Sequence, residues 1–306
     1  MVSIYFDTAI TDDARRSSLY QGDLYVYSPR RSVLDFARFA QQMIEDAFHG
    51  FDPEKAQYEM PAEQYADILM KLKPAFIHHS ESKRHVRAVL EDFGCDPEMT
   101  YFEVPKMRSA TSDGYLTAGI AYAWHPHRDT WYSAAPCQIN WWFPVYELET
   151  TNAMAFHPQY WSNPIANSSS GYCYYEWNQK YRGTHIKAFT KNDPRPLPAP
   201  TEPVEMEPQI RLLCPVGGIL VFSAAHLHSS VPNTSGKTRW SIDFRTVHAG
   251  DLEARIGAPN IDSQCSGTAL FEFKSVARLE DLPANLLALY EDGTEIEAAR
   301  VYSPDR

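Results

Sequence analysis

The chain has 306 residues, of which 44% are hydrophobic and 22% charged, a composition typical of a folded globular protein. Its formal net charge is −11, and basic residues occur only in short pieces such as Arg30-Arg31, so nucleic acid is not an expected partner. We find no run of about 18 apolar residues and no signal-peptide pattern, and we expect a cytoplasmic protein without a membrane partner. Five widely spaced cysteines without a CxxC motif fit reduced thiols.

Residues 1–97 are predicted to be mostly helical. A short strand-like piece, "DLYVYS" (23–28), precedes "SVLDFARFAQQMIEDAF" (32–48), where apolar residues recur at helical spacing. Two further helical patterns follow in "PAEQYADILMKLKPAFIHH" (61–79) and "ESKRHVRAVLEDFG" (81–94), and Gly94 is a C-cap signal.

Beyond residue 98 the pattern changes to short runs of β-branched and aromatic residues separated by Gly, Pro, Ser and Asn. These runs are "TYFEVPKM" (100–107), "YLTAGIAYAW" (115–124), "CQINWWFPVY" (137–146), "NAMAFHP" (152–158), "IRLLCPV" (210–216), "GILVFSAA" (218–225) and "RWSIDFRTV" (239–247). Because no helices alternate with them, they favour a sandwich or jelly roll over a doubly wound parallel sheet.

The chain is therefore expected to form a single domain over residues 1–306, with a helical N-terminal layer at 1–97 and a β core at 98–250. The irregular stretch at 162–208 is too long for an ordinary connection and predicts an inserted lid. Residues 251–306 form a C-terminal extension, in which "ARLEDLPANLLALYEDG" (277–293) predicts one closing helix.

The stretch "AWHPHRDTWYS" (123–133) contains candidate metal ligands. On an extended segment His127 and Asp129 point to the same face, so both side chains can reach one ion. Such a pair is also common in solvent-facing loops. With His125 it spells the start of the HxHxDH motif of the metallo-β-lactamase-like hydrolases, which bind two zinc ions, but Thr130 stands where that motif ends in His.

A second segment, "PVGGILVFSAAHLHSSVPNTSGKTRWSIDFRTV" (215–247), carries further candidates. A Gly-Gly turn leads into an apolar strand that ends near His228, and Arg239 follows after a Ser/Pro/Asn turn. His226 and His228 would point the same way along a strand. Spacing leaves both histidines open as ligands, and the turn "SSVPNTS" (229–235) follows His228 directly.

Taken together, residues 115–247 resemble the iron(II)- and 2-oxoglutarate-dependent dioxygenases, above all the phytanoyl-CoA dioxygenase-like branch. The resemblance implies a mainly β fold with a double-stranded β-helix core of jelly-roll or cupin type beside the helical layer. It also implies that His127, Asp129 and His228 bind the metal, and that Arg239 pairs with the distal carboxylate of 2-oxoglutarate. Ser230 matches a position that often contacts this co-substrate.

Period-2 alternation in "QINWWFP" (138–144) predicts two faces. One face holds Gln138, Asn140 and Trp142, and the other holds Ile139, Trp141 and Phe143. We expect the Trp142 face to line the interior, since Trp142 matches an aromatic of the keto-acid pocket in the resembled family, and we assign Asn140 to the same pocket.

Substrate contacts are expected from Trp131, Tyr132 and Arg245, although Arg245 could instead pair with a surface acid and aromatic clusters are often plain core. His157 is expected to be a hydrogen-bonded structural residue.

The resemblance implies Fe(II), with 2-oxoglutarate and O2 as co-substrates, and hydroxylation of an unactivated C–H bond in a small molecule such as a secondary metabolite or an amino-acid-like compound. Asp129 argues against halogenation, because related halogenases have a small residue there. Desaturation, cyclisation and epimerisation stay open, as does the choice between monomer and homodimer. The alternatives are an oxygen-independent metal-binding cupin and a dinuclear zinc hydrolase.

Overall fold

The computed structural model describes residues 2–118, 125–182 and 195–291. The end of the predicted strand at 115–124 and part of the predicted lid at 162–208 lie outside the described residues. The strands are β1 (Ile4–Phe6), β2 (Leu24–Tyr27), β3 (Thr100–Phe102), β4 (Lys106–Ala110), β5 (Ile139–Pro144), β6 (Met154–Phe156), β7 (Ile210–Leu212), β8 (Ile219–Ser223), β9 (His228–Ser230), β10 (Arg239–His248) and β11 (Lys274–Ser275). The helices are α1 (Asp12–Leu19), α2 (Arg31–Phe48), α3 (Ala62–His78), α4 (Ser80–Asp92), α5 (Tyr174–Glu176), α6 (Ala249–Ala254) and α7 (Ala284–Leu287).

The strands form a sheet-rich fold with one large and one small sheet. The large sheet has the order β1-β2-β8-β5-β10-β3-β11, and β4 also pairs with β10. The small sheet has the order β7-β6-β9. The stretch "TYFEVPKM", predicted as one strand, is split into β3 and β4, and both pair with β10 because that strand is long enough to hold them end to end.

The two faces of the large sheet have different environments, and this division matches the alternation predicted for β5. Ile139, Trp141 and Phe143 face the main hydrophobic core together with the buried side of α2. Phe36 of α2 packs on Phe143 with ring centroids 5.3 Å apart. Burial of a Phe side chain contributes about 1.5–3 kcal/mol to the stability of the fold. This contact therefore stabilises the packing of α2 on this face of the sheet.

The other face of the large sheet meets the small sheet. Phe222 of β8 and Phe156 of β6 form a T-shaped pair with centroids 5.0 Å apart. Trp142, Leu220 and Met154 belong to the same apolar cluster, which closes one end of the space between the sheets. The remainder of this space is a cavity, and β5, β9 and β10 carry polar side chains into it.

Three local features of the fold can be compared with the sequence predictions. Helix α1 was missed because its buried residues include Arg15 and Arg16, which are paired with Asp12, so the apolar periodicity of a helix is absent. The predicted closing helix is only the short α7. Gly94 has φ 71° directly after α4, as a C-cap requires. Among the described residues, no helix is both long enough and apolar enough to span a membrane.

Candidate metal centre

Three buried side chains converge on one point between the two sheets. Atoms of His127, Asp129 and His228 that could bind a metal lie within 4.8 Å of one another. The Oδ1 atom of Asp129 is 3.3 Å from Nε2 of His127 and 3.9 Å from Nε2 of His228. Two imidazoles and a carboxylate at such spacing can bind one divalent ion.

Backbone hydrogen bonds hold the three residues in register. The N–H groups of His127 and His228 each donate to the other residue's carbonyl, both at 3.0 Å, in an antiparallel bridge. The N–H of Asp129 donates to the carbonyl of Ala224 at 2.9 Å. Asp129 also begins a short 3₁₀ helix that ends at Tyr132, so the extended segment predicted for this stretch stops one residue earlier.

Each histidine is fixed in the tautomer that a metal ligand needs. Nδ1 of His127 lies 2.7 Å from the carbonyl oxygen of His125, and Nδ1 of His228 lies 3.0 Å from that of His226. Because a carbonyl only accepts, both Nδ1 atoms carry the proton and both Nε2 atoms keep a lone pair toward the site. Burial, aided by the neighbouring His127, lowers the pKa of His228 to about 4, which keeps this imidazole neutral at pH 7.

The carboxylate of Asp129 is oriented through its other oxygen. Oδ2 accepts a hydrogen bond from Nδ2 of Asn140 at 2.8 Å and a longer one from Gln138, and Nε of Arg245 lies 3.6 Å away. Burial would raise the pKa of Asp129, but the charge of Arg245 opposes it, and that pKa lies well below its usual range. Asp129 is therefore an anion whose Oδ1 faces the histidines.

Asn140 thus contacts a metal-ligand candidate, whereas the sequence assigned it to the co-substrate pocket. Gln138, the residue before β5, donates to both Asp129 and Asn140 and was not predicted as a site residue. The alternation in "QINWWFP" placed Gln138 on the same face as Asn140. Its partner could not be found from sequence, because Asp129 lies on a different segment.

Arg239 begins β10 and lies in the same cavity, with 6% of its surface exposed. Its Nη1 donates to the carbonyls of Asn152 and Ala153, and its Nη2 donates to Oγ of Ser230 at 3.0 Å. The guanidinium carbon lies 5.6 Å from the centre of the Trp142 ring. Burial lowers the pKa of Arg239 to about 10, so the group is still a cation at pH 7.

The donors of Arg239 are only partly used. A guanidinium has five N–H groups, and the three contacts above leave Nε–H and one Nη2–H. Nε is buried and has no hydrogen-bond partner among the residues that the structure describes. These two adjacent donors form the fork that pairs with both oxygens of a carboxylate, and a buried cation without an acidic partner is costly. The arrangement fits an anionic ligand.

The cavity that contains these groups has a volume of about 720 Å³, which is enough for a small organic molecule. Trp142, Ser230 and Arg239 line it together with the three metal-ligand candidates. Two imidazoles and one carboxylate fit iron(II), and the buried guanidinium beside them fits the far carboxylate of a chelating 2-oxoglutarate.

The three residues expected to contact the substrate have different positions. Tyr132 lines the cavity, and its ring meets that of His127 edge to face at 5.6 Å. Trp131 does not line it. The 3₁₀ helix turns this side chain into a separate apolar cluster, where Nε1 donates to Asp262 at 2.6 Å.

Arg245 lines the cavity too, and the acids with which it pairs are inside the cavity and not on the outer surface. Its Nη1 lies 2.9 Å from a carboxylate oxygen of Glu103 and 3.3 Å from one of Asp243. Sequence reasoning missed both acids. Asp243 could have been found, because it is two residues from Arg245 on β10 and therefore shares its face.

Three further histidines have contacts other than metal coordination. The His125 side chain is exposed and does not belong to the cluster of potential ligands. His226 lies in a bend before β9, not on a strand, and its Nε2 contacts the carbonyl of Gly22 at 2.8 Å. His157 is fully buried between the carbonyl of Met206 and the hydroxyl of Ser229, as expected of a structural residue.

No protein-family model and no curated protein matches the chain. Several solved structures are similar to it at low identity. EvdO2 from Micromonospora carbonacea var. aurantiaca, complexed with 2-oxoglutarate, is 14% identical with a TM-score of 0.45 over 79% of this chain and 92% of that one. The epimerase SnoN in complex with Fe3+, alpha ketoglutarate and nogalamycin RO is 14% identical with a TM-score of 0.39 over 78% and 85%.

AviO1 from Streptomyces viridochromogenes Tue57 is 13% identical with a TM-score of 0.36 over 83% of this chain and 100% of that one. These likenesses are remote, and none of them identifies the reaction of this chain.

Proposed function

We propose that this chain is a non-haem iron(II)- and 2-oxoglutarate-dependent oxygenase that hydroxylates an unactivated C–H bond of a small molecule. The observation that carries the proposal is the combination of the His127–Asp129–His228 cluster with the buried Arg239 in one cavity. A site that binds metal only for structure or sensing has no need of a buried cation with two donors left for a carboxylate.

The residues of the site have different roles in the proposed reaction. His127, Asp129 and His228 would hold the metal, and the cavity that they line has room for the co-substrate beside them. Iron in such a site supplies the oxidative decarboxylation of 2-oxoglutarate to succinate and the oxidation of the substrate. Asn140 and Gln138 keep the second oxygen of Asp129 occupied, so that Asp129 binds through Oδ1. Arg239 orients the keto acid, with Trp142 and Ser230 beside it.

The reading as a dinuclear zinc hydrolase is not favoured. Such a site would use His125 as a ligand, and the His125 side chain is exposed outside the cluster. The presence of Asp129 in the cluster argues against halogenation. Epimerisation, desaturation and cyclisation need the same metal site, so they are alternative outcomes of the proposed chemistry.

The same proposal includes the fold type, the domain organisation and the branch of the family. We assign the fold to the double-stranded β-helix type with an N-terminal helical layer, in one catalytic domain, and the chain to the phytanoyl-CoA dioxygenase-like branch. The two apposed sheets with the cavity between them support the fold assignment. We also propose that the protein is cytoplasmic, that it is a monomer or homodimer, and that its substrate is a small molecule.

The test is uncoupled turnover, in which the enzyme consumes 2-oxoglutarate without its substrate. Purified protein with Fe(II), ascorbate and oxygen should release succinate above the rate of a no-enzyme control. Asp129→Ala should abolish this release while the circular dichroism spectrum is unchanged. Succinate release that persists in Asp129→Ala would contradict the assigned ligand set.

A further inference from the structure

We infer that the substrate has a neutral oxygen, such as a carbonyl or hydroxyl oxygen, which accepts a hydrogen bond from Nη2 of Arg245 beside the metal centre. The inference rests on the proposed oxygenase function, since it treats the part of the cavity next to Asp129 as the place where the substrate binds. It follows from the position of Arg245, from the use of its N–H groups, and from the carboxylates around it.

The side chain of Arg245 borders the cavity. Its strand, β10, lies inside the large sheet, with β5 on one side and β3 and β4 on the other. Ile242 and Phe244 belong to the main hydrophobic core, so alternation places Arg245 on the opposite face, which lines the cavity. The Arg245 side chain has 17% of its surface exposed, and on this face the exposed part meets the cavity.

The guanidinium of Arg245 uses few of its five N–H groups. Nη1 donates to Glu103 at 2.9 Å and lies 3.3 Å from a carboxylate oxygen of Asp243. Nε lies 3.6 Å from Oδ2 of Asp129, which is too long for a hydrogen bond. Nη2 has no hydrogen-bond partner among the described residues, and it is not one of the buried polar atoms that lack a partner. Its two N–H groups can therefore donate to a molecule in the cavity.

The Nη2 atom lies on the side of the guanidinium that is next to the metal centre. Nη2 and the Nε–H group share one edge of the planar guanidinium, and Nε is the atom near Asp129. The other oxygen of Asp129 lies 3.3 Å from Nε2 of His127. A substrate oxygen bound at Nη2 would therefore hold the neighbouring carbon atoms of the substrate close to the metal.

The carboxylates around Arg245 favour a neutral oxygen over an anionic one. Glu103, Asp243 and Asp129 each have a carboxylate oxygen within 3.6 Å of this one guanidinium. A further carboxylate at Nη2 would be repelled by these three, and repulsion is stronger in a buried site than in water. A carbonyl or hydroxyl oxygen accepts the same hydrogen bond without this repulsion.

The two acids that Nη1 approaches also have other cationic partners. Glu103 accepts from Lys106, and Asp243 accepts from Nε of Arg108 at 2.6 Å. These charges of the cavity wall are therefore paired within the protein itself. An uncharged substrate group leaves the pairs intact, whereas an added anion or cation would compete for one of their members.

An aromatic wall, formed by Tyr132, Tyr172, Tyr174 and Trp177, lines another part of the cavity. Tyr132 and Tyr172 meet edge to face at 5.5 Å, and Tyr132 meets His127 in the same way at 5.6 Å. The aromatic wall therefore begins next to the metal centre. Because aromatic rings pack well on the rings of a ligand, a probe with one ring and one neutral oxygen suits both features.

The experiment is an anaerobic calorimetric titration of the protein loaded with Fe(II) and saturating 2-oxoglutarate, so that Arg239 is occupied. Three planar probes of nearly equal shape are compared at pH 7 and constant ionic strength: neutral benzamide, anionic benzoate and cationic benzamidine. Arg245→Lys keeps the positive charge and removes Nη2. Glu103→Gln keeps an acceptor for Nη1 and removes one of the three carboxylates. Arg211→Lys changes an exposed arginine outside the cavity and serves as the control.

Benzamide should bind at least about tenfold more tightly than either charged probe. Arg245→Lys should weaken benzamide about tenfold, or about 1.4 kcal/mol, as expected for one hydrogen bond to a charged donor, and Arg211→Lys should stay within about twofold of the wild type. Glu103→Gln should reduce the preference for benzamide over benzoate at least about threefold, because one repelling charge is removed. The weak visible absorption of the iron(II)–keto acid chelate should persist in Arg245→Lys, since a cation is still present beside Asp129.

Four results would overturn the inference. In the wild type, this result is a charged probe that binds as tightly as benzamide. In Arg245→Lys, it is an unchanged affinity for benzamide, equal weakening of all three probes, or loss of the chelate absorption, which would assign Arg245 to Asp129 or to the keto acid. Failure of the oxygenase proposal is visible separately, because the chelate absorption is then missing from the wild type, whatever the probes do.

Discussion

Replacing Arg239 should weaken the binding of 2-oxoglutarate without removing the metal site. The guanidinium is buried, its Nη1 is held by the carbonyls of Asn152 and Ala153, and Nε–H with one Nη2–H is left to donate. Arg239→Met keeps much of the side-chain volume and removes both donors and the charge. None of the three metal-ligand candidates contacts Arg239 through a hydrogen bond, so iron binding should be nearly unchanged.

The magnitude follows from the two hydrogen bonds that the fork can make with a carboxylate. Each charge-assisted bond contributes about 1.5–3 kcal/mol, so their loss costs at least about 3 kcal/mol. At about 1.4 kcal/mol per tenfold, the dissociation constant for 2-oxoglutarate should rise at least about a hundredfold. Arg239→Lys should recover part of this, because a point charge cannot reproduce the planar fork.

The assay is an anaerobic titration of the iron(II) protein with 2-oxoglutarate, monitored by the visible absorption of the chelate. Arg211→Ala removes an exposed arginine of the small sheet and serves as the control. Thermal unfolding gives a second readout. A ligand at about a hundred times its dissociation constant stabilises a protein by about 2.7 kcal/mol, so 2-oxoglutarate should raise the Tm of the wild type and have little effect on Arg239→Met.

One result would exclude Arg239 as the carboxylate clamp. If Arg239→Met binds 2-oxoglutarate as tightly as Arg211→Ala, the carboxylate clamp is another residue. Arg245 would then be the first to test, since it also lines the cavity.

Three further predictions concern residues around the metal centre. Asn140→Leu should weaken iron(II) about 10- to 100-fold, because Asp129 loses the bond that orients it; an unchanged dissociation constant from anaerobic metal titration would contradict this role. His125→Ala should leave iron affinity within a few-fold, since the backbone carbonyl that contacts His127 is kept in this variant, and loss of a second metal ion in it would revive the dinuclear reading. Trp131→Phe should lower the free energy of unfolding by about 1–2 kcal/mol through the lost bond to Asp262, with 2-oxoglutarate binding unchanged; a changed affinity would return Trp131 to the cavity.

Site residues that lie close together in the chain could be predicted from the sequence. His127 and Asp129 are two residues apart, His228 and Arg239 flank one turn, and alternation in β5 put Trp142 on the inner face. These relations depend on local geometry and on the resemblance that the motifs carry, and the structure brings all five residues into one cavity.

The contacts that the sequence missed depend on tertiary structure. The contact of Asn140 with Asp129 was not predicted, because Asp129 lies on another segment; Asn140 does line the cavity. Trp131 was placed near the substrate because the 3₁₀ helix that turns it away has no clear sequence signal. Helix α1 was missed for a related reason, since its buried arginines are stabilised by ion pairs with acids that only the fold brings close, such as Asp251.

The most direct test of the central claim is the anaerobic spectrum of the wild-type protein with one equivalent of Fe(II) and added 2-oxoglutarate. The proposed function predicts a weak visible absorption band that saturates at one iron and one keto acid per chain and is missing in His228→Ala, which should fold normally. A wild-type protein without this band, or a His228→Ala variant that retains it, would contradict the proposed iron(II) and 2-oxoglutarate site.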